Sequence, residues 1–367
     1  MQSKCIKFAR LGLQLAGIIP MKNSYNHFFS FKLLSFNGKL TMLVCGIISF
    51  MFAIQSELTK SFTAWAIFSV SVQLVLKQYT THKNDFAKML DDADRLLESV
   101  LTDQKAREIF EPMDSIRIKF CKVFVYSLLC YMPLNFFSNV LDYFSGRPLR
   151  NPFQLWTPFS SILLSFVFHS YILSMAIITE SSYLNSIASV SLHVVSCLKI
   201  LSHRLSKQPQ FISKKVERET IKIHSDVIQL VALMNKNYGA MITLEILSAS
   251  LQACFTGYQI LVGLENLDSN LLVFFVVFIF IWELPFIICY CGQEIETESE
   301  TILRALYQNL WHQRSPENRK TVFFQMLMMS KPLKLHFRNF IVFNFAQLGG
   351  VLQSAYTAMA MMRLLFI

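Results

Sequence analysis

Apolar residues in this chain are gathered into blocks separated by charged stretches, rather than spread evenly along it. A bilayer core is crossed by about 20 apolar residues of helix, and seven blocks approach that length. They lie at about 40–58, 62–79, 120–144, 159–178, 238–264, 271–292 and 340–365. The first two are joined by a very short turn at Lys60. A short Gly/Pro-rich connection, 145–158, carries Arg147 and Arg150, and a small acidic one holds Glu265 and Asp268. Block three can kink at Pro133 and block six is broken at Pro285, because proline lacks the donor that a helix interior needs.

Two regions depart from the membrane pattern. The stretch 80–119 alternates acidic and basic residues (Asp91, Asp92, Asp94, Arg95, Glu98, Lys105, Arg107, Glu108) and reads as water-soluble and partly helical. After block four, Leu184, Ile187, Ser191, Val194, Leu198, Leu201 and Leu205 continue a helical stripe with polar residues between them. The periodicity predicts an amphipathic helix that leaves the membrane and packs on another element.

Composition supports this reading. Hydrophobic residues make up 53% of the 367, Phe alone numbers 34, and only 16% are charged. That is too little charge to cover a soluble protein of this size. The first 39 residues are basic and interrupted by Pro20 and Gly38, which does not resemble a cleavable signal. Residues 1–39, 80–119, 199–237 and 293–338 hold six, seven, eight and seven Lys or Arg, leaving few on the alternate side. The excess of positive charge marks the cytoplasmic face. The chain is therefore expected to be an all-α membrane protein of seven transmembrane helices with an inverted topology: a cytosolic N-terminus and an extracellular C-terminus. The net charge of +10 follows from those loops and gives no reason to invoke nucleic acid.

The chemistry-bearing residues do not form an enzyme signature. The eight cysteines lie mostly inside apolar blocks, where they behave as small apolar residues. Cys289-Tyr290-Cys291 has no nearby His to complete a metal set, so neither metal nor cofactor is expected. Neither a zinc-protease, a nucleophile-elbow nor a phosphate-loop motif occurs. His169, Glu245 and Glu283 fall inside blocks, where ionisable groups are functional candidates. His169 is read as lining a pocket or core, and Glu283 as paired with a polar group in the bundle or in a neighbouring subunit.

The last fifth, from Trp282, carries the most information. A polar helix follows block six, with Ile302, Leu303, Leu306 and Leu310 on one stripe. Ser315-Pro316 then starts a new helix, with Ser at the N-cap and Pro at the first helical position. Arg319 and Lys320 are expected exposed, and Phe323, Met326 and Leu327 on an apolar face. Ser330-Lys331-Pro332-Leu333 ends it. In the last block, Asn344, Gln347, Ala355, Ala358 and Met362 share one stripe at 100° per residue, with Ser354 beside it and Gln353 off it.

This order resembles the C-terminal signature of insect odorant receptors. The matching parts are Tyr290-Cys291-Gly292-Gln293, Tyr307 with Trp311, Arg319-Lys320, Ser330-Lys331-Pro332-Leu333 and Ser354-Ala355-Tyr356-Thr357. The resemblance implies an odorant-gated non-selective cation channel subunit, tetrameric and held by a cytosolic anchor at about 181–206, 222–237, 293–312 and 316–330. It implies four regions: a cytosolic segment 1–39, spans one to six with their extensions in 40–292, anchor helices in 293–338 and a pore-lining span in 339–367. The pore would be lined by Asn344, Gln347, Ser354, Ala355, Ala358, Met359 and Met362, with the gate near Met359 and Met362. A small volatile ligand would bind in the outer half of the bundle. Matching depths give Trp65, Phe68, Ser69 and Val72, then Tyr131, Leu134, Asn135 and Ser138, then Ile162, Phe166, His169 and Ser170, then Phe275 and Ile279. The connection between spans four and five is short compared with that of the coreceptor, Orco. The chain thus resembles an odorant-tuned subunit that assembles with Orco in a heterotetramer, in the plasma membrane of olfactory sensory dendrites.

Other classes stay open. An insect gustatory receptor is a related channel, but Tyr356-Thr357-Ala358 matches its terminal motif poorly. A transporter should show paired halves with broken helices, which are not evident. A G-protein-coupled receptor should carry its basic loops on the opposite face.

Overall fold

The computed structural model describes residues 9–11, 13–14, 40, 43–44, 46–47, 49–51, 54, 65, 68–77, 86–102, 104–144, 162–206, 214–266, 271–308, 311–313 and 315–366. The helices are α1 (Phe68–Lys77), α2 (Phe86–Val100), α3 (Gln104–Phe144), α4 (Ile162–Ser206), α5 (Lys214–Asn266) and α6 (Leu271–Gln308). A 3-10 turn, Trp311–Gln313, leads to α7 (Pro316–Met329), a small hairpin of β1 (His336–Phe337) and β2 (Ile341–Val342), and α8 (Phe345–Phe366).

Length alone sets the architecture. Helices α3 to α6 have 41, 45, 53 and 38 residues. At 1.5 Å per residue each is about 57–80 Å long, roughly twice what a bilayer core needs. Each therefore serves two environments, and the molecule divides into a spanning block and a basal block beyond it. The charged stretch 80–119 belongs to the basal block, as α2 and the first turns of α3. On α2, Phe86, Met89, Leu90, Ala93, Leu96, Leu97 and Val100 are buried on one face, while Lys88, Arg95 and Glu98 are exposed. That is the amphipathic stripe of a helix lying on a core.

Four sequence expectations are corrected. First, α6 is continuous through Pro285. The Pro285 ring is buried with Leu284, Ile287 and Ile288, so packing on both sides of the missing hydrogen bond holds the axis together. Second, the extension of α4 is not amphipathic. Every residue from 182 to 198 is buried, because α4 runs through the centre of the basal block. Its serines turn inward on their own helix: Ser186 Oγ donates to Tyr183 O at 2.8 Å and Ser196 Oγ to Leu192 O at 2.7 Å. Composition would also admit Ile178–Ser206 as a membrane span, but its apolar residues are used in a protein core. Third, α5 begins at Lys214, eight residues before the expected extension. Fourth, α7 buries Val322, Gln325 and Met329, leaving Phe323 and Leu327 exposed and Met326 half-buried. The helix lies on α6 by a narrow edge. Arg319 and Lys320 are exposed as expected.

The ends of α7 follow the sequence signals. Pro316 opens it, Arg319 N–H donates to Ser315 O at 2.9 Å, and the Ser315 side chain makes no capping bond. Ser330 closes it, its N–H donating to Leu327 O at 3.4 Å.

Candidate functional site

The chain between α7 and α8 is clamped by α5 and α6. The Asn235 amide reads both edges of the backbone there: Nδ2 donates to Lys334 O at 2.9 Å, and Oδ1 accepts from His336 N–H at 2.9 Å. From α6, Ser299 Oγ accepts the Leu333 N–H at 2.9 Å, and Glu296 pairs with Lys334 at 2.8 Å. The hairpin turns at Arg338 (φ 49°) and Asn339 (φ 57°), with Phe340 N–H donating to Phe337 O at 2.9 Å. Asparagine tolerates this left-handed region and arginine does so less readily. Two glycines allow the approach. A Cβ on Gly239 would sit 3.0 Å from His336 O, and one on Gly292 would sit 1.8 Å from Phe343 O.

This linker moves the start of the last helix. Its first turn is at Phe345 rather than Phe340, because 336–342 form the hairpin. Asn344 is its N-cap: Oδ1 accepts the Gln347 N–H at 3.1 Å, and Nδ2 lies 3.4 Å from Glu296 Oε2.

Helix α8 has two faces. One arc holds Asn344, Gln347, Leu348, Val351, Ala355, Ala358, Met359 and Met362, all buried or half-buried. It lies on α5 and α6. Ala355 packs with Ala249, Ala253, Cys254 and Ile281, and Ala358 and Met362 lie against the same group. Cys254 Sγ donates to Ala355 O at 3.5 Å. Met359 nests at Gly257, where a Cβ would lie 2.5 Å from its sulfur. The opposite arc holds Ala346, Gly349, Gly350, Gln353, Ser354, Thr357, Met361 and Leu364, all exposed. Among the described residues, nothing lies within 4 Å of the position a Cβ would take on Gly349 or Gly350. Ser354 Oγ and Thr357 Oγ1 donate to Gly350 O and Gln353 O, both at 2.9 Å, so their hydroxyls are satisfied without a neighbouring helix.

The stripe chosen from sequence is therefore the packed face. Of Asn344, Gln347, Ser354, Ala355, Ala358, Met359 and Met362, only Ser354 belongs to the open one. The Asn344 amide caps the helix. The small and polar residues Gly349, Gly350, Gln353 and Thr357 share the open side at 100° per residue.

The candidate ligand residues are placed unevenly. Trp65 and Phe68 meet edge-to-face at 5.7 Å, and Phe50 joins them at 5.9 and 5.4 Å. Trp65, Phe68 and Ser69 are half-buried, while Val72 is exposed. Tyr131, Leu134, Asn135 and Ser138 lie on α3, and Ile162, Phe166, His169 and Ser170 on α4; their side chains fall outside the described residues. Phe275 is exposed, and Ile279, at 69% exposure, turns away from the helices that α6 packs on. Glu283 is half-buried, whereas Glu245 is buried and ion-paired with Lys77 on α1. Cys289 and Cys291 are buried thiols outside any disulfide, and among the described residues no three His, Cys, Asp or Glu are grouped to hold a metal.

Comparison with known proteins places this architecture. The family model described as 7tm Odorant receptor matches residues 57–356. Odorant receptor 85c of Drosophila melanogaster is 22% identical over 46% of this chain and 42% of its own length. Odorant receptor 30a of the same organism is 20% identical over 62% of this chain and 60% of its own. The chain thus matches under half the length of the first of these relatives. The structure of the insect olfactory receptor OR5 from Machilis hrabei superposes with a TM-score of 0.80 at 14% identity, over 98% of this chain and 97% of that one. Its complex with eugenol gives 0.77 at 13% identity, over 99% and 98%. The last of these likenesses are of fold, and they give the seven-helix membrane architecture. With the family match covering most of its length, this chain belongs to the 7tm Odorant receptor family.

Proposed function

We propose that the protein is the odorant-tuned subunit of a ligand-gated, non-selective cation channel. The observation that carries this reading is the two-faced helix α8. One arc is packed on its own subunit, and the other is small, polar and left open within the chain. In a bilayer, Gln353 and Thr357 should face protein or water rather than lipid. Four copies of this face around an axis would make a water-filled path. Gly349 and Gly350 keep that path wide, and Met361 and Leu364 supply an apolar constriction at the outer end. Met359 and Met362 stay behind as packing residues.

The ligand is a small volatile compound, held in the spanning block by Trp65, Phe68 and Ser69 together with the outer parts of α3, α4 and α6. An enclosed aromatic site binds such a molecule by desolvation and shape. The opening follows from the ligand's greater affinity for the conformation with the dilated pore. The N-terminus and basal block are cytosolic, following the Lys and Arg distribution.

Assembly rests on α7. Phe323, Phe324, Leu327 and Met328 are 53–60% exposed and Tyr307 67%, all in the basal block. A cluster of large apolar residues facing water is an association surface. We assign it to the tetrameric anchor, shared with the coreceptor Orco in the plasma membrane of olfactory neurons.

Whole-cell recording tests the reading. Cells carrying this chain with an insect coreceptor should give rapid odorant-evoked cation current without added G protein. Cells carrying either chain alone should not respond to the same odorant. Substituting Gln353 or Thr357 by Leu should alter ion permeability, while Ala358→Gly should not. Odorant responses that require a G protein or a cytosolic nucleotide would overturn the proposal.

A further inference from the structure

One turn at the base of α1 carries two polar side chains on one face, Gln73 and Lys77, and both are buried. Lys77 Nζ donates to both carboxylate oxygens of Glu180 on α4, at 2.8 and 2.6 Å, and to Glu245 Oε2 on α5. Gln73 Nε2 donates to the same Glu245 oxygen. Tyr183, one turn after Glu180, donates its hydroxyl to Lys77 O at 2.8 Å, and its ring lies 5.5 Å from the ammonium. Phe86 closes the cluster from α2, edge-on to Tyr183 and Tyr238 at 6.3 and 5.0 Å. Three helices far apart in sequence are thus joined through one ammonium group.

Its position gives the cluster a second meaning. The clasp sits where the spanning block meets the basal block, close to the inner ends of spans two, four and five. Above it, α1 and α4 lead towards the candidate ligand residues. On α5, Ala249, Ala253 and Gly257 lie one, two and three turns beyond Glu245, and this is the seam on which α8 packs. A buried charge is tolerated only while its partners are in place. A displacement of α1 or α4 would therefore reach α5, the helix on which α8 packs.

We infer that Lys77, Glu180 and Glu245 form a charge clasp that couples spans two and four to span five and sets the balance between closed and open pore; the gating part rests on the channel reading above. The three are positioning residues, since none touches ligand or ion path. The charge count separates their effects. Glu245→Gln leaves a balanced Lys77–Glu180 pair, so the fold is kept while span five is released. Lys77→Met leaves the buried Glu245 and the half-buried Glu180 side by side without a cation, and the neutral triple variant Lys77→Met, Glu180→Gln, Glu245→Gln removes that conflict.

The test uses the full chain with an insect coreceptor, reading surface amount by biotinylation, thermal midpoint in detergent, and odorant concentration–response. Glu245→Gln should reach the surface in wild-type amount and shift half-maximal concentration or odorant-free current about tenfold, within the usual range of inter-site coupling. Lys77→Met should lower the thermal midpoint and surface amount, and the triple variant should recover both. A wild-type concentration–response for Glu245→Gln overturns the gating role. A triple variant no more stable than Lys77→Met overturns the clasp. If the wild-type pair reaches the surface and gives no current with any odorant, the channel reading fails, and the midpoints of the single and triple variants still decide whether the clasp exists.

Discussion

Two helices of this protein use similar residues to opposite ends. The basal half of α4 is sealed on every side over 182–198, although it carries Ser186, Ser189, Ser191, His193 and Ser196. Helix α8 is sealed on one side only, although its open arc includes Met361 and Leu364. The basal block must exclude water, so the chain completes the burial itself and pairs several of its polar groups internally. The Asn185 amide oxygen accepts from Arg117 at 3.2 Å and from Ser189 at 3.5 Å, and Phe110 stacks on His193 at 5.7 Å. In the spanning block, apolar surface facing lipid costs nothing, and helix contacts come from close packing of small residues. A helix there can keep a face free for ions or for a neighbouring subunit. Rigidity and openness are thus divided between the two ends of the same long helices.

The strongest way to break that division is at the glycines. In Gly292→Ala the new methyl would meet the Phe343 backbone oxygen at 1.8 Å, and backbone cannot swing aside. The expected result is loss of folded protein at the cell surface, read by surface labelling and detergent gel filtration. In Gly257→Ala the close contact is with the Met359 sulfur, on a flexible side chain, while Phe278 at 3.7 Å is in ordinary contact. It should fold normally and change only the concentration–response. Equal loss in both variants would show that the spanning seam is as rigid as the base.

Next in size is Phe86→Ala, which empties space between two buried tyrosines in the base. It should cost about 3–5 kcal/mol. The contrasting change, Ile279→Ala on the outer face of α6, should stay within about 0.5 kcal/mol. Thermal midpoints of the two variants measure the contrast.

Acidification probes the base alone. Burial, helped by the Arg117 guanidinium and opposed by Asp114, pushes His193 from 6.5 down to about 4. The unfolded chain therefore takes up this proton first. The penalty is absent above pH 6.5, grows as the pH falls to about 4, and reaches about 3 kcal/mol. Against wild type, His193→Phe should flatten the fall in thermal midpoint between pH 6.5 and 4.5. Identical pH profiles would mean that water reaches His193.

The smallest effect is expected at the surface pair of Lys105 and Glu108, 2.8 Å apart and half exposed. Lys105→Ala should leave the midpoint close to that of the wild type. Salt titration checks it.

Much of the fold was legible. The blocks at 238–264 and 271–292, the start of α7 at Pro316 and its end at Ser330 follow from hydropathy and proline chemistry. The site was less so. Periodicity put Leu184 to Leu205 on one stripe of α4 but said nothing of what would cover the other sides. Asn344 and Gln347 were read as pore polarity, yet one caps the helix and the other lies in its first turn on the packed side. Phe323 and Leu327 were read as part of an apolar face, and the structure leaves them exposed, since apolarity marks a face without saying which molecule covers it.

From its own letters, this chain determined that long helices pass between an apolar and an aqueous medium, where α3 to α5 end and α6 and α7 begin, and which side carries the basic charge. These are local properties, set by transfer free energy and backbone chemistry. Only the tertiary structure decided that α6 runs through Pro285, that Gly292 admits the linker, which arc of α8 stays open and that Lys77 joins Glu180 and Glu245. Those outcomes depend on distances between residues 100 or more positions apart for Lys77, and on steric exclusion at close approach. Neither is encoded in the period of any single helix.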